Sequence, residues 1–485
     1  MPGISRRTLL GRGASLAGGV ALFSIAGRLA AHAQQPQRII VIGAGLAGLC
    51  AALELTAGGH EVTVFEARTR PGGRVHTLRE PFADNLYAEA GAMTIASSHD
   101  LSMRYARQFD LALVPVSAPS GASLAYLRGQ RITRQIGQPV RWPLNLTDEE
   151  QQLGLAGMLR KYWGRELDGA ADAASPDWPP ASLRALDAMT LAELWRRNGA
   201  SDAALTIMRR SYLDLLGDGV ESLSALNALR EAALRRAGDT HYRIDGGSDK
   251  LPQAFAARLR AQIHYGAAVV RIAHDRDSVR VTVRDLSGLH EVIGDRLICA
   301  IPFSTLRDVM ITPSFSAEKQ RAIQELPNTS VTRTYLQCRS RFWSADGLSG
   351  AATTDLPIMS VSVASEGQPG PRAILESYAG GAPARDLARL PVPARIGFVT
   401  EQAAKVLPAL PSHVEGGASV SWDDDPWAKG AYAWFKPRQM TMFLPHIARP
   451  EGRVHFAGDH TSAMPGWMQG ALASAHRVLR EINER

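Results

Sequence analysis

Cysteine is scarce: the chain of 485 residues has three, Cys50, Cys299 and Cys338. They lie far apart in apolar segments, without the paired spacing of a disulfide framework or the spacing of zinc ligands, so buried inert thiols are expected. Long apolar runs are missing too. None reaches the ~18 consecutive residues that a membrane-spanning helix requires. Acidic residues are absent from the first 33 positions, which hold Arg6, Arg7, Arg12 and Arg28. Those arginines supply more than half of the formal net charge of +7. The other basic pairs, Arg196-Arg197, Arg209-Arg210 and Arg235-Arg236, fall in helical patterns beside acids and read as solvated faces, so nucleic acid is not an expected partner. No internal repeat and no Ser/His/Asp or paired-carboxylate arrangement stands out. His455, His460 and His476 lack metal-ligand spacing, and no metal is expected.

What is present is the composition of a soluble globular chain, 45% hydrophobic and 21% charged, long enough for more than one domain. The amino terminus reads Ser5-Arg6-Arg7-Thr8-Leu9-Leu10, then a Gly/Ala-rich apolar run to about Ala26, then Ala31-His32-Ala33. This is the pattern of a twin-arginine signal peptide over residues 1–33, which places the mature chain, from Gln34, in the periplasm or outside the cell.

Arg38 to Ile42 is a β-run that ends in glycines, Leu46 to Ala57 has a helical pattern, and His60 to Phe65 is a second strand. This β-turn-α-β opening predicts a parallel sheet. From about Asp100 to Gly238 the pattern changes to helices separated by loops, with a capping box at Thr190 and Glu193 and Gly199 as a stop. Strand patterns return at Ala267–Ile272, Val279–Val283, Arg296–Ile301, Val331–Gln337, Ala373–Tyr378 and Val454–Phe456. A long helix then runs from about Gly466 to Glu484. The expected class is α/β (α+β overall): a Rossmann-like nucleotide domain built from residues 34–99, 241–312 and 421–485, interleaved with a helical substrate segment (100–240) and a substrate-domain sheet (313–420).

Gly43-Ala44-Gly45-Leu46-Ala47-Gly48 is G-x-G-x-x-G in its proper setting, after a strand and opening a helix. The helix end offers unpaired N–H groups and partial positive charge to a pyrophosphate. Glu66, at the end of the second strand, is placed to accept from ribose hydroxyls. The next segment, Arg68-x-x-Pro71-Gly72-Gly73-Arg74, adds donors and a guanidinium, in a two-glycine pattern resembling that of flavoprotein oxidases. Phe456-Ala457-Gly458-Asp459 and Pro465-Gly466-Trp467-Met468-Gln469-Gly470-Ala471 then put a carboxylate near ribityl or ribose hydroxyls. They also aim a helix start at the edge of a flavin where negative charge develops on reduction. The expected cofactor is FAD.

With these motifs, and with Glu89-Ala90-Gly91-Ala92-Met93, Gly246 to Pro252 and Trp422 to Tyr432, the sequence resembles the flavin-containing amine oxidases, the L-amino-acid-oxidase branch most. The resemblance implies a two-domain FAD fold and oxidation of a C–N bond, with hydride passing from the carbon beside a neutral amine to flavin N5. The imine would be hydrolysed and the flavin reoxidised by O2 to give H2O2. It assigns Gly43, Ala44, Gly45, Gly48, Glu66, Ala67, Arg68, Gly73, Arg74, Gly91, Ala92, Met93, Thr94, Val269 (through its backbone), Asp459, Gly466, Trp467, Met468, Gln469, Gly470 and Ala471 to the cofactor. Tyr432 and Trp467 become the aromatic sandwich around the substrate, while Trp422 packs near the flavin. Ala431 stands where monoamine oxidases attach FAD through cysteine, so the cofactor should be non-covalent. Tyr378 matches a carboxylate contact. Thr94 replaces an arginine that grips the substrate carboxylate, and a hydroxyl cannot imitate a bidentate guanidinium. Arg333 replaces a lysine that holds a water near flavin N5. Thr94 favours a primary or secondary amine as substrate, whereas the overall similarity favours an L-amino acid. Arg333 leaves open a dehydrogenase or desaturase that uses a quinone or cytochrome, and a non-catalytic FAD-binding protein is a third alternative. The partners expected are a small amine or amino acid, O2 and the twin-arginine translocation machinery. A homodimer is compatible with the sequence.

Overall fold

The computed structural model describes residues 35–484, apart from 118, 119, 171, 176, 236 and 237. The signal-peptide assignment lies outside the described residues.

Five strands form one parallel sheet in the order Ile263–Tyr265, Glu61–Glu66, Arg38–Ile42, Arg296–Cys299, Val454–Phe456. Its central strands are apolar on both faces, as a sheet covered on both sides requires. Ile39, Val41 and Ile298 pack with the first helix (Leu46–Ala57) and the final helix (Met468–Asn483), while Ile40, Ile42 and Cys299 face a second core. The alternation follows from the two-residue period of a strand. Strands from both ends of the chain and from its middle therefore build one nucleotide-type sheet, with the Gly43–Gly48 turn at its carboxyl edge.

A second sheet of seven strands runs Val414–Ser421, Val331–Cys338, Ala373–Gly380, Ser360–Val363, Leu348–Thr354, Ala122–Leu127, Gln130–Arg134. Its last two strands come from the region the sequence pattern assigns to helices, so the segment 100–240 contributes a β-hairpin as well as helices. The hairpin joins the sheet by parallel pairing of Ala122–Tyr126 with Leu348–Thr354, a contact between residues more than 200 positions apart that no local pattern announces. Elsewhere in that segment local signals suffice. The Thr190 hydroxyl accepts from Glu193 N while the Glu193 carboxylate accepts from Thr190 N, which caps the helix Leu191–Arg197, and Gly199 follows with φ +92°. No described helix is long and apolar enough to cross a membrane.

Candidate active site

A cavity of about 910 Å³ runs between the two sheets, near the upper end of the size range for ligand sites, about 300–1,000 Å³. One end is lined by Gly43, Gly45, Glu66, Ala67, Arg68, Gly73 and Arg74. The other is lined by Tyr378, Arg333, Tyr432 and Trp467, with Gly91, Ala92, Met93, Thr94, Val269, Asp459, Gly466, Met468 and Ala471 also on its walls.

The turn after the first strand shows why glycine stands where it does. Gly43 has φ +100°, which side chains with a Cβ rarely adopt. A Cβ on Gly48 would lie 2.0 Å from the Gly43 carbonyl oxygen, so helix and turn touch only because both are bare. A Cβ on Gly45 would meet nothing within 4 Å, because this residue borders the open cavity. Both helices that start here, Leu46–Ala57 and Met468–Asn483, lack a side-chain cap, so their first N–H groups remain available to a ligand.

Glu66 ends its strand buried, with Oε2 accepting from Ala44 N at 2.7 Å and Oε1 from Arg68 N at 2.8 Å. Burial raises its pKa above the carboxylate norm despite those two bonds and the nearby arginines. The Ala44 N–H is therefore committed to Glu66 rather than offered to a phosphate. Arg68 lies on the wall, tied to Asp425 at 2.6 Å. Across the cavity, Arg74 donates to the Ala431 carbonyl at 2.6 Å and pairs with Asp459 at 2.5 Å. Burial works against the Asp459 charge, but Arg74 and the Gly466 N–H outweigh it, leaving the group below its normal pKa. Gly91 lets the chain pass Arg74, since a Cβ there would sit 1.8 Å from the Arg74 carbonyl oxygen.

At the aromatic end, the Tyr432 hydroxyl donates to Leu215 O at 2.7 Å and lies 3.3 Å from the Tyr378 hydroxyl. Trp467 donates from Nε1 to Glu231 Oε1 at 3.2 Å, and its ring packs edge-on against His99 at 5.2 Å. Trp422 is buried and donates to Ala90 O at 2.8 Å, beside the cofactor end of the wall. Arg333 is buried on its strand. Its guanidinium lies 4.5 Å over the Tyr378 ring, Nη1 donates to Glu89 O at 2.6 Å, and Nε faces Glu376 Oε1 at 3.4 Å. An exposed strand arginine is thereby excluded.

Four of the residues expected at the cofactor do not line the cavity. Ala44 and Gly48 form the turn beneath it. Gln469 turns away, its Oε1 accepting from Ser102 N at 3.0 Å and its amide bonded to Asp100, while Gly470 packs against Met464 O. Helical geometry explains this: Met468 and Ala471, three apart, share the cavity face, and the two residues between them point elsewhere. Three acids on the wall had no sequence signal, Asp308 among them. Glu231 sits in a helix and Glu376 in a strand, each a lone carboxylate that only the tertiary fold brings to the cavity.

A dinucleotide cradle at the edge of a parallel sheet, joined to an aromatic chamber, defines a cofactor-dependent oxidoreductase. The model for flavin-containing amine oxidoreductases matches residues 46–483, and the chain belongs to that family. It is 32% identical over 472 residues to the protein YobN of Bacillus subtilis (strain 168), which covers 93% of this chain and 95% of the relative. It is 30% identical over 477 residues to RebO, the flavin-dependent L-tryptophan oxidase of Lentzea aerocolonigenes, covering 92% and 98%. Among solved structures, cyclohexylamine oxidase from Brevibacterium oxydans IH-35A superposes with a TM-score of 0.78 at 22% identity, covering 93% of this chain and 99% of the other, a likeness of fold. The enzyme is an amine oxidoreductase and its cofactor is FAD. The bare turn at Gly45 and the two uncapped helix ends suit a pyrophosphate and a flavin. Among the described residues no cysteine or histidine lines the cavity, and Ala431 does, in keeping with non-covalent FAD.

Proposed function

We propose that the protein is an exported FAD-dependent amine oxidase whose substrate is a small primary or secondary amine or an L-amino acid. The observation that carries this is the joining of the Gly43–Arg74 cradle and the Tyr432–Trp467 chamber in one cavity. When bound, FAD supplies the two-electron acceptor. The chain does the remaining work. Tyr432, fixed by Leu215 and Tyr378, and Trp467, fixed by Glu231 and His99, hold a small amine and exclude water. Such surroundings penalise the ammonium form and favour the neutral amine, whose lone pair assists departure of hydrogen from the adjacent carbon. Water then converts the imine to a carbonyl compound and ammonia or a smaller amine. O2 serves as the electron acceptor and leaves as H2O2. The domain division inferred from the sequence stands as part of this proposal, as do the assignments of the residues that line the cavity. The twin-arginine leader, which carries folded and cofactor-loaded proteins, supports an exported location.

The test is anaerobic mixing of the FAD-loaded protein with a panel of amines and L-amino acids, reading flavin absorbance, followed by admission of air and peroxide measurement. Bleaching by at least one compound, with peroxide matching the substrate consumed, is expected. Bleaching without peroxide would favour the dehydrogenase alternative, which Arg333 at the lysine position motivates. No bleaching by any compound would leave only a cofactor-binding role.

A further inference from the structure

Thr94 cannot grip a carboxylate, yet the cavity wall holds an arginine for which packing provides little use. A guanidinium offers five N–H donors in a planar fork. Arg333 donates from Nη1 to Glu89 O at 2.6 Å and interacts with the Tyr335 hydroxyl, which reaches the same carbonyl. Its Nε and the facing Glu376 Oε1 are both buried without a hydrogen-bond partner, since their 3.4 Å approach is an ion pair off hydrogen-bond geometry. Burying a charged group with its donors unfilled costs stability. The strand position makes the arrangement deliberate rather than incidental. Arg333 is the cross-strand partner of Tyr378, its guanidinium covers that ring at 4.5 Å, and the Tyr378 hydroxyl reaches Tyr432 at 3.3 Å. The donor fork thus sits one side chain away from the chamber in which the amine must lie.

We infer that Arg333, stacked on Tyr378 and backed by Glu376, is the grip for a substrate carboxylate, which makes the substrate an α-amino acid rather than a simple amine. The inference rests on the amine-oxidising function proposed above and assigns the specificity residue within it. Glu376 supports Arg333 in the empty cavity and yields to the substrate. The Arg333 fork has two edges, and Glu376 approaches only at Nε. Burial also raises the Glu376 pKa, with the charges of Arg333 and Arg243 opposing it. Arg333 itself stays charged, because Glu376 and the neighbouring tyrosines outweigh the opposing effect of burial.

The test uses the FAD-loaded full chain and pairs of compounds that differ only by the carboxylate: phenylalanine and phenethylamine, leucine and isoamylamine, lysine and cadaverine. The expected result is that at least one acid reduces the flavin on the order of a hundredfold more efficiently than its amine. Arg333→Met should bring the two within a few-fold by raising the concentration of acid needed, and Arg333→Lys should restore part of the preference. Benzoate, which cannot be oxidised, should perturb the flavin spectrum of the unmodified protein and lose that effect in Arg333→Met. Glu376→Gln, which keeps shape and removes the competing charge, should bind benzoate at least as tightly as the parent. Amines favoured over acids, or a preference unchanged in Arg333→Met, would overturn the assignment. If no compound bleaches the flavin, benzoate decides alone. Arg333-dependent binding would keep the grip while the oxidase function falls, and absence of binding would remove both.

Discussion

Lys319 has no role in the cavity and is fully buried in the helix Ala317–Glu325, with Nζ donating to Ile447 O at 2.9 Å and lying 3.7 Å from the centre of the Phe456 ring. Burial drives its pKa down to about 7, with Glu451 opposing. An unfolded lysine keeps its proton to about pH 10.4. Between those two values the unfolded chain binds more protons than the folded one, so stability rises with pH, by up to about 1.4 kcal/mol per unit. At pH 7 the buried amine therefore costs about 4 kcal/mol, and at pH 9 about 2 kcal/mol. Lys319→Met removes this titration and fills similar space, but it leaves the Ile447 carbonyl without its donor, a loss of about 1–3 kcal/mol. The variant should accordingly be more stable than the parent near pH 7 and lose most of that advantage by pH 9. With an unfolding entropy of about 2 cal/mol/K per residue, the change in the difference amounts to about 2 °C in melting temperature. Parallel thermal melts across pH 7–9 check it. The three cysteine thiols, each pushed up to about 12 by burial, act in the opposite direction above pH 9; Cys50 and Cys338 do so in both proteins, whereas Cys299 interacts with Lys319, so the comparison stops at pH 9. A variant less stable at pH 7, or a difference that stays constant across the range, would refute the argument.

Trp467→Ala should slow flavin reduction at least tenfold while leaving FAD content near the parent's, measured by rapid mixing and by flavin-to-protein absorbance; equal loss of both would make Trp467 a core residue. Gly91→Ala should abolish stable FAD retention, because its Cβ would strike the Arg74 carbonyl; a yellow, fully loaded variant would contradict this. Arg74→Met leaves Asp459 buried without its cation, at a cost of about 3–5 kcal/mol, so melting temperature and FAD affinity should both fall. Arg74→Met combined with Asp459→Asn should recover part of the melting temperature.

Four strands of the parallel sheet were legible because their features are local, whereas the three-residue edge strand Ile263–Tyr265 was not. The run Arg38–Ile42, the helix Leu46–Ala57 and the strand Val454–Phe456 occur in the structure with the bounds the sequence pattern predicts. The cavity residues that belong to glycine motifs were legible for the same reason. The hairpin Ala122–Arg134 was not, because its first strand is held by pairing with the distant Leu348–Thr354. Glu231 and Glu376 were hidden because a single acid in a helix or strand has no pattern. The Gln469 side chain lies off the cavity wall, since a motif names consecutive residues whereas a helix turns them to different faces.

Asp459 and the strand before it come from the end of the chain, while the Gly43 turn comes from its start, and both belong to one sheet. A fragment made on the ribosome that stops short of Val454 holds the phosphate turn but neither the Arg74 counter-ion nor the second helix end. Flavin capture thus waits until synthesis has passed Asp459 and the start of the final helix. Carboxy-terminal nicking would empty the protein of its colour long before it dissolved the central sheet.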